Sequence, residues 1–292
     1  MDQAENLRTI IKKQNQKDIE NARIIAVTSG KGGVGKSSFS INIALQLAHM
    51  GKKVIVLDAD FGLANIEVML GIIPKANLSD LMFKGKELKD IILDGPDGVR
   101  FISGGSGVSK LSNLNTDQIK SVLNKMSELE ELADVIIIDT GAGMASSVME
   151  FLVASPEIVI VTTPEPTSIT DSYALLKGLT MYDGFNPQKT RIRIVTNKVT
   201  SPKEGRLLFE KLSMVLKQFL NLDVEFLGIV MSDATISKAV MKQMPVSIMY
   251  PDSESSHNFY NIAQTLETDQ DPVMLRENGV RKFFRKILSK NI

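Results

Sequence analysis

Eight short runs rich in β-branched residues recur along the chain, and most are apolar at consecutive positions rather than alternate ones. They are ARIIAVTS (22–29), KKVIVLDAD (52–60), VRFISGG (99–105), ADVIIIDTG (133–141), EIVIVTTP (157–164), TRIRIVTNKV (190–199), VEFLGIVMSD (224–233) and VSIMY (246–250). A strand with one face in water alternates polar and apolar residues, so unbroken apolar runs belong to strands covered on both faces, as in a mainly parallel sheet. Stretches such as SFSINIALQLAHMG (38–51) and QIKSVLNKMSELEEL (118–132) carry helical spacing between the runs. The order is βαβα. It predicts an α/β fold with a doubly wound, mainly parallel sheet, helices on both faces, and ligands at the carboxyl ends of the strands.

Composition narrows the classes. The 292 residues are 43% hydrophobic, enough for one large core, and Lys plus Arg equals Asp plus Glu at 34 each. No global field draws such a chain to nucleic acid, so a polyanionic partner must be met by a local patch. The absence of cysteine rules out disulfides, a thiol nucleophile and a thiolate-held metal cluster. No uncharged run reaches the roughly 18 residues of a spanning helix, and the N-terminus has no signal-like apolar core, so a cytoplasmic location is expected. Polar, helix-prone residues 1–22 read as an arm, 23–270 as the domain and 271–292 as a basic tail. His49 and His257 lack partners at useful spacing and read as structural or exposed.

One βα junction carries chemistry. Gly30-Lys31-Gly32-Gly33-Val34-Gly35-Lys36-Ser37 matches G-x-x-x-x-G-K-[ST], with a strand before it and a helix after it. Such a loop converges backbone N–H groups on phosphates at a helix N-terminus, with Ser38 following in the same turn. Lys36 pairs with β and γ oxygens, and Ser37 offers its hydroxyl to Mg2+. Asp58 and Asp60 close one strand run and Asp139 closes another, where carboxylates can serve a magnesium shell; capping a helix is the competing role for any one of them. Asn197, in TNK at a strand end, has an amide able to donate and accept at the adenine edge.

Lys31 is one lysine more than a phosphate loop needs. K-G-G-V-G-K-S resembles the deviant Walker A loop of the MinD/ParA ATPases, which implies an ATP-dependent homodimer in which Lys31 reaches the partner subunit's nucleotide. The same resemblance implies that Asp60 positions the attacking water, Asp58 supports the magnesium shell and Asp139 is the Walker B aspartate. It also implies that Gly141 and Gly143 sense the γ-phosphate, and that Ser232 and Asp233 lie in a second base-contacting loop. Thr140 stands where that family often has proline.

Within that family, DADFGLANIEVMLG (58–71), VRFISGGSG (99–107) and TTPEPTSITDSYALLK (162–177) resemble the FlhG (FleN, YlxH) group, which controls flagellar placement and number. Asp2, Gln3, Ala4, Leu7 and Arg8 are similar to the arm through which that group stimulates the GTPase FlhF. Flagellar basal-body components are further partners this implies. In the tail, Val280, Phe283, Phe284, Ile287 and Leu288 fall on one helical face among basic residues, a pattern suited to lying in an anionic membrane surface. It resembles the membrane-targeting helix of MinD-type proteins, which implies peripheral association with the inner face of the cell membrane. Docking of that helix on its own domain is the competing reading, and also a possible resting state of the monomer. The function expected is an ATPase acting as a spatial regulator. A chromosome- or plasmid-partition ATPase or a division-site regulator is the nearest alternative, a metabolic P-loop ligase or kinase a more distant one, and no DNA partner is expected.

Overall fold

The computed structural model describes residues 21–60, 65–105, 116–269 and 279–289. Among the described residues eight strands form one sheet, in the order β3-β4-β2-β5-β1-β6-β7-β8. They are β1 (Arg23–Ser29), β2 (Val54–Ala59), β3 (Ile92–Asp94), β4 (Arg100–Ser103), β5 (Val135–Ala142), β6 (Glu157–Thr162), β7 (Arg191–Val199) and β8 (Glu225–Met231). Only the β3/β4 pair is antiparallel. Helices of eight residues or more, among the described residues, are α1 (Lys36–His49), α2 (Thr116–Ser127), α3 (Ser146–Ala154), α4 (Pro166–Thr180), α5 (Pro202–Leu220), α6 (Ala234–Met241), α7 (Glu254–Thr268) and α8 (Val280–Ser289).

Strand residues feed two cores in alternation. Ile24, Ala26, Ile136 and Ile138 face one core, with α2, α3, α4, α5 and α8 over it. Ile25, Val27, Val135 and Ile137 face the other, under α1 and α7. The consecutive apolar runs thus have the cause expected of them: successive side chains point to opposite faces, and both faces are covered. β1 lies between β5 and β6, so the strands that follow it in sequence wind to either side of it. That switch point brings the carboxyl ends of β1, β2 and β5 together, where such sheets form their ligand crevice.

Two local readings are corrected. VSIMY is a one-turn helix (Val246–Met249) rather than a strand. Pro245 sets up its start, and Asn42 Oδ1 accepts from Ser247 N at 3.0 Å, so the polar backbone of this apolar segment is satisfied by α1. The three-residue edge strand β3 is too short to show a periodicity and was not expected.

The tail differs most from a free amphipathic helix. Val280 and Leu288 are 0% exposed, Ile287 1%, and Phe283 and Phe284 2%, because α8 lays its apolar face between α2 and α3. Phe283 meets Phe151 of α3 with ring centroids 5.9 Å apart. Arg281, Lys282, Arg285 and Lys286 point outward. Burial of its stem pulls the Lys286 ammonium below the usual lysine range. Glu130 fastens the start of the helix. Its carboxylate accepts from Val280 N and, at 2.8 Å, from Ala22 N, where β1 begins. Burial pushes this carboxyl up, against the two backbone donors. The arm residues Asp2, Gln3, Ala4, Leu7 and Arg8 lie outside the described residues.

Candidate nucleotide site

The loop from Gly30 to Gly35 joins β1 to α1. Gly33 and Gly35 have φ of 77° and 95°, a region that side-chain-bearing residues avoid. Gly30 is needed for a different reason: a Cβ there would lie 2.2 Å from the Asp171 carbonyl carbon, so the loop packs backbone to backbone on α4. The N-terminus of α1 has no side-chain cap and no acidic residue in its first turn. Its first N–H groups therefore remain available to an anion, favoured by the helix dipole. Lys36 opens that turn, with Ser37 and Ser38 half-buried behind it.

The carboxylates converge here. Asp139 is fully buried; its Oδ1 lies 3.1 Å from Lys36 Nζ and accepts from Ser40 Oγ at 2.8 Å. Its Oδ2 has no hydrogen-bond partner. Asp58 is in register with Asp139 on the neighbouring strand, and accepts from Asp60 N at 3.0 Å and Ile66 N at 3.3 Å. Burial pushes the Asp58 carboxyl up to about 7, and the charge of Asp139 pushes the same way. Two buried carboxylates with one lysine between them make a centre short of positive charge, and an orphan buried acceptor is a position that a hydrated cation fits. Among the described residues no group of three or more His, Cys, Asp or Glu could hold a metal by itself. Mg2+ characteristically takes one or two carboxylates and completes its shell with water and phosphate oxygens, so the donor set suits it.

Asp60 lies at the edge of this centre, with its Oδ2 held by Asn65 Nδ2 at 3.0 Å and its Oδ1 beside Gly141. Gly143 N donates to Ser29 O at 2.9 Å, which joins the loop after β5 to the entry of the phosphate loop. Lys31 turns away from the centre. Its Nζ is 2.6 Å from Glu165 Oε2 and 2.9 Å from Thr167 Oγ1, at the start of α4. The hydrogen bond and charge of Lys31 hold the Glu165 carboxyl below the usual range.

The residues expected to read the base have hydrogen-bond partners within the chain. Asn197 is buried, and its Nδ2 donates to Val34 O at 2.7 Å while its Oδ1 accepts from Lys198 N at 2.9 Å. Its amide is spent first on the phosphate loop. Asp233 is a helix cap: it accepts from Thr235 N at 2.8 Å and Ser255 Oγ at 2.7 Å. Burial raises this carboxyl, but the hydrogen bonds from Thr235 and Ser255 outweigh it and bring it down to about 2. A carboxylate so engaged holds the start of α6 against α7. Ser232 is exposed, and its N donates to Val199 O at 2.8 Å.

Three residues of this cluster escaped the sequence reading. Ser40 was findable, since it lies one turn after Lys36 on the same helix face. Asn65 and Glu165 carried only weak local signals, five residues from Asp60 and just before Pro166.

A family model described as an NUBPL iron-transfer P-loop NTPase of the ParA group matches residues 20–267. With no cysteine, the chain has no thiolate for an iron cluster. Antiactivator FleN of Pseudomonas aeruginosa is 41% identical over 262 residues, covering 90% of this chain and 91% of that protein. The flagellum site-determining protein YlxH of Helicobacter pylori is 34% identical, covering 92% and 90%. Among solved structures, a chain of the MinC:MinD cell division protein complex of Aquifex aeolicus superposes with a TM-score of 0.68 at 22% identity, covering 86% of this chain and 98% of that one. MinD with Mg-ADP from Pyrococcus horikoshii gives 0.65 at 23%, covering 85% and 96%. These last two share the fold. The chain is an ATPase of the ParA/MinD family of P-loop NTPases, in the group that contains FleN and YlxH.

Proposed function

We propose that this chain is an ATP-switched regulator of flagellar placement and number, which leaves its domain-docked state for a membrane-bound homodimer when ATP is bound. The relative named for determining the flagellum site, with the antiactivator FleN beside it, supports the biological setting. The observation that carries the switch is the sequestered face of α8, an amphipathic helix whose five apolar side chains are covered by the domain itself.

The energetics suit an exchange. Full burial of such side chains is worth roughly 1.5–3 kcal/mol each, so an exposed α8 would be costly. Moving that face from the groove to acyl chains replaces one apolar environment by another, and the terms nearly cancel. The four outward basic residues then add about 1 kcal/mol each near anionic lipid. A modest change at the groove therefore decides which surface α8 occupies.

At the site, the chain's own residues divide the work. The loop N–H groups and Lys36 bind and orient the phosphates. Ser37, Asp58 and Asp139 would hold Mg2+, which supplies positive charge to the phosphate oxygens when bound. Asp60 aligns water for attack, steadied by Asn65, and Lys31 of each subunit leaves Glu165 to add charge at the partner's nucleotide. The arm bearing Asp2, Gln3, Ala4, Leu7 and Arg8 engages an FlhF-type GTPase as a short helix that orders on contact. Sedimentation with anionic liposomes in ATP and in ADP tests the switch. A peptide of residues 1–20 added to the GTPase tests the arm; no rise in GTP turnover where the full chain gives one would place the contact elsewhere.

A further inference from the structure

We infer that Lys198, with Asn197, braces the phosphate loop from behind, and that Lys198 is a positioning residue for nucleotide binding. The inference rests on the assignment of ATP to this loop. It begins with a bulge: Asn197 pairs with Val230 and Val199 with Met231, so Lys198 is one residue too many in β7. A bulge re-aims side chains, and this one does so at the sheet end where the phosphate loop lies. Lys198 adopts φ of 58°, a conformation unfavourable for a long side chain. Asn221, Asp97 and Gln243 share it: Asn221 and Asp97 are of residue types that take it readily, and Asn221 and Gln243 follow helix ends, whereas Lys198 lies within a strand.

The strained residue reaches a specific target. Lys198 Nζ donates to Gly33 O at 2.7 Å, and Asn197 Nδ2 donates to the next carbonyl, Val34 O, at 2.7 Å. Gly35 must lack a Cβ for this approach, since one would lie 2.4 Å from Asn197 Nδ2. The chain has no cis peptide among its described residues. In a trans peptide the C=O and the following N–H point in opposite directions. Holding the Gly33 and Val34 carbonyls on the β7 side therefore turns the N–H groups of Val34 and Gly35 to the other side, into the cradle. Glycines at 32, 33 and 35 make the loop pliant, and the two donors remove the freedom that phosphate would otherwise have to remove. The Lys198 ammonium also helps to hold the Glu165 carboxyl low, so it stands in the same cluster as Lys31.

Three variants separate bracing from general stability. Lys198→Met removes the ammonium and keeps the backbone strained, Lys198→Gly removes both ammonium and strain, and Lys198→Arg keeps a donor. ATP affinity by titration calorimetry should fall about tenfold in the Met and Gly variants alike, the scale of one lost charge-assisted hydrogen bond. It should be largely restored in Arg. The melting temperature of the nucleotide-free protein should be higher in Gly than in Met, so affinity follows the ammonium and not the stability. Parent-like affinity in Met and Gly, with the parent binding ATP, would overturn the brace alone; a parent that binds no ATP would overturn the site assignment beneath it. Affinity that rises and falls with melting temperature across the series would reduce Lys198 to a structural residue.

Discussion

Lys31 Nζ and Glu165 Oε2 lie 2.6 Å apart, across the phosphate loop and the start of α4 of one chain. A lysine assigned to the neighbouring subunit's nucleotide is thus engaged at home. Both side chains are substantially exposed, so water screens the pair and exchange is easy. In the proposed dimer, Glu165 competes with the partner's phosphates for one ammonium. Glu165→Ala should therefore dimerise at several-fold lower ATP concentration than the parent, read by sedimentation velocity across an ATP series. An unchanged ATP requirement would mean that the pair has no part in assembly.

In the proposed function, dimer formation and hydrolysis separate at Asp60. Asp60→Ala leaves Lys36 and the loop intact, so an ATP-bound dimer should accumulate while turnover falls about 10²-fold or more. Asn65→Ala, which removes the Asn65 hydrogen bond to Asp60, should lower kcat less and leave ATP affinity unchanged. Lys36→Ala should abolish both turnover and dimerisation. Steady-state phosphate release beside size-exclusion profiles checks all three; an Asp60 variant with parental turnover would remove that residue from the chemistry.

Asp233 gives a pH signature. Its carboxyl, at about 2 in the fold against 3.8 in a free chain, is lowered on folding. Its contribution is therefore complete above about pH 4 and disappears as pH falls through about 2. Asp233→Ala should lose about 1 kcal/mol at pH 7, the usual worth of an N-cap, with ATP affinity unchanged. The stability gap from the parent should close between pH 4 and pH 2 in denaturant titrations. A large loss of ATP affinity would place Asp233 in the base pocket.

Glu130 joins the two ends of the described domain, since one carboxylate accepts from Ala22 N and Val280 N. Glu130→Ala leaves two donors unmatched, Val280 N at the start of α8 and Ala22 N before β1, a loss of about 1–3 kcal/mol. The docked state should weaken, and liposome binding in ADP should rise several-fold over the parent. No rise would show that the helix start does not hold the dock.

The parts of this molecule legible in its sequence are those with local causes. The buried runs, the phosphate loop and the strand-end aspartates declare themselves because each depends on residues close together in the chain. VSIMY shows the limit: an apolar five-residue run fits a buried strand or a buried turn, and Pro245 with Asn42, two hundred residues away, decides between them. The face of α8 was legible as apolar, but what covers it is set by α2 and α3. Asn197 was found as an amide at a strand end; its turn toward Val34 O depends on the bulge at Lys198, which a one-residue slip in pairing produces and no periodicity reveals.

The central claim is that ATP moves α8 from its groove to the membrane by way of the dimer. Its most direct test is co-sedimentation with anionic liposomes, in ATP and in ADP, of the parent, Asp60→Ala, Lys31→Ala and Phe284→Asp, with dimer fraction measured on the same samples. The account predicts that the parent and the Asp60 variant pellet in ATP and stay in solution in ADP. The Lys31 variant should fail both to dimerise and to bind, and the Phe284 variant should dimerise without binding. Equal binding in ATP and ADP, or membrane binding by a Lys31 variant that stays monomeric, would contradict it.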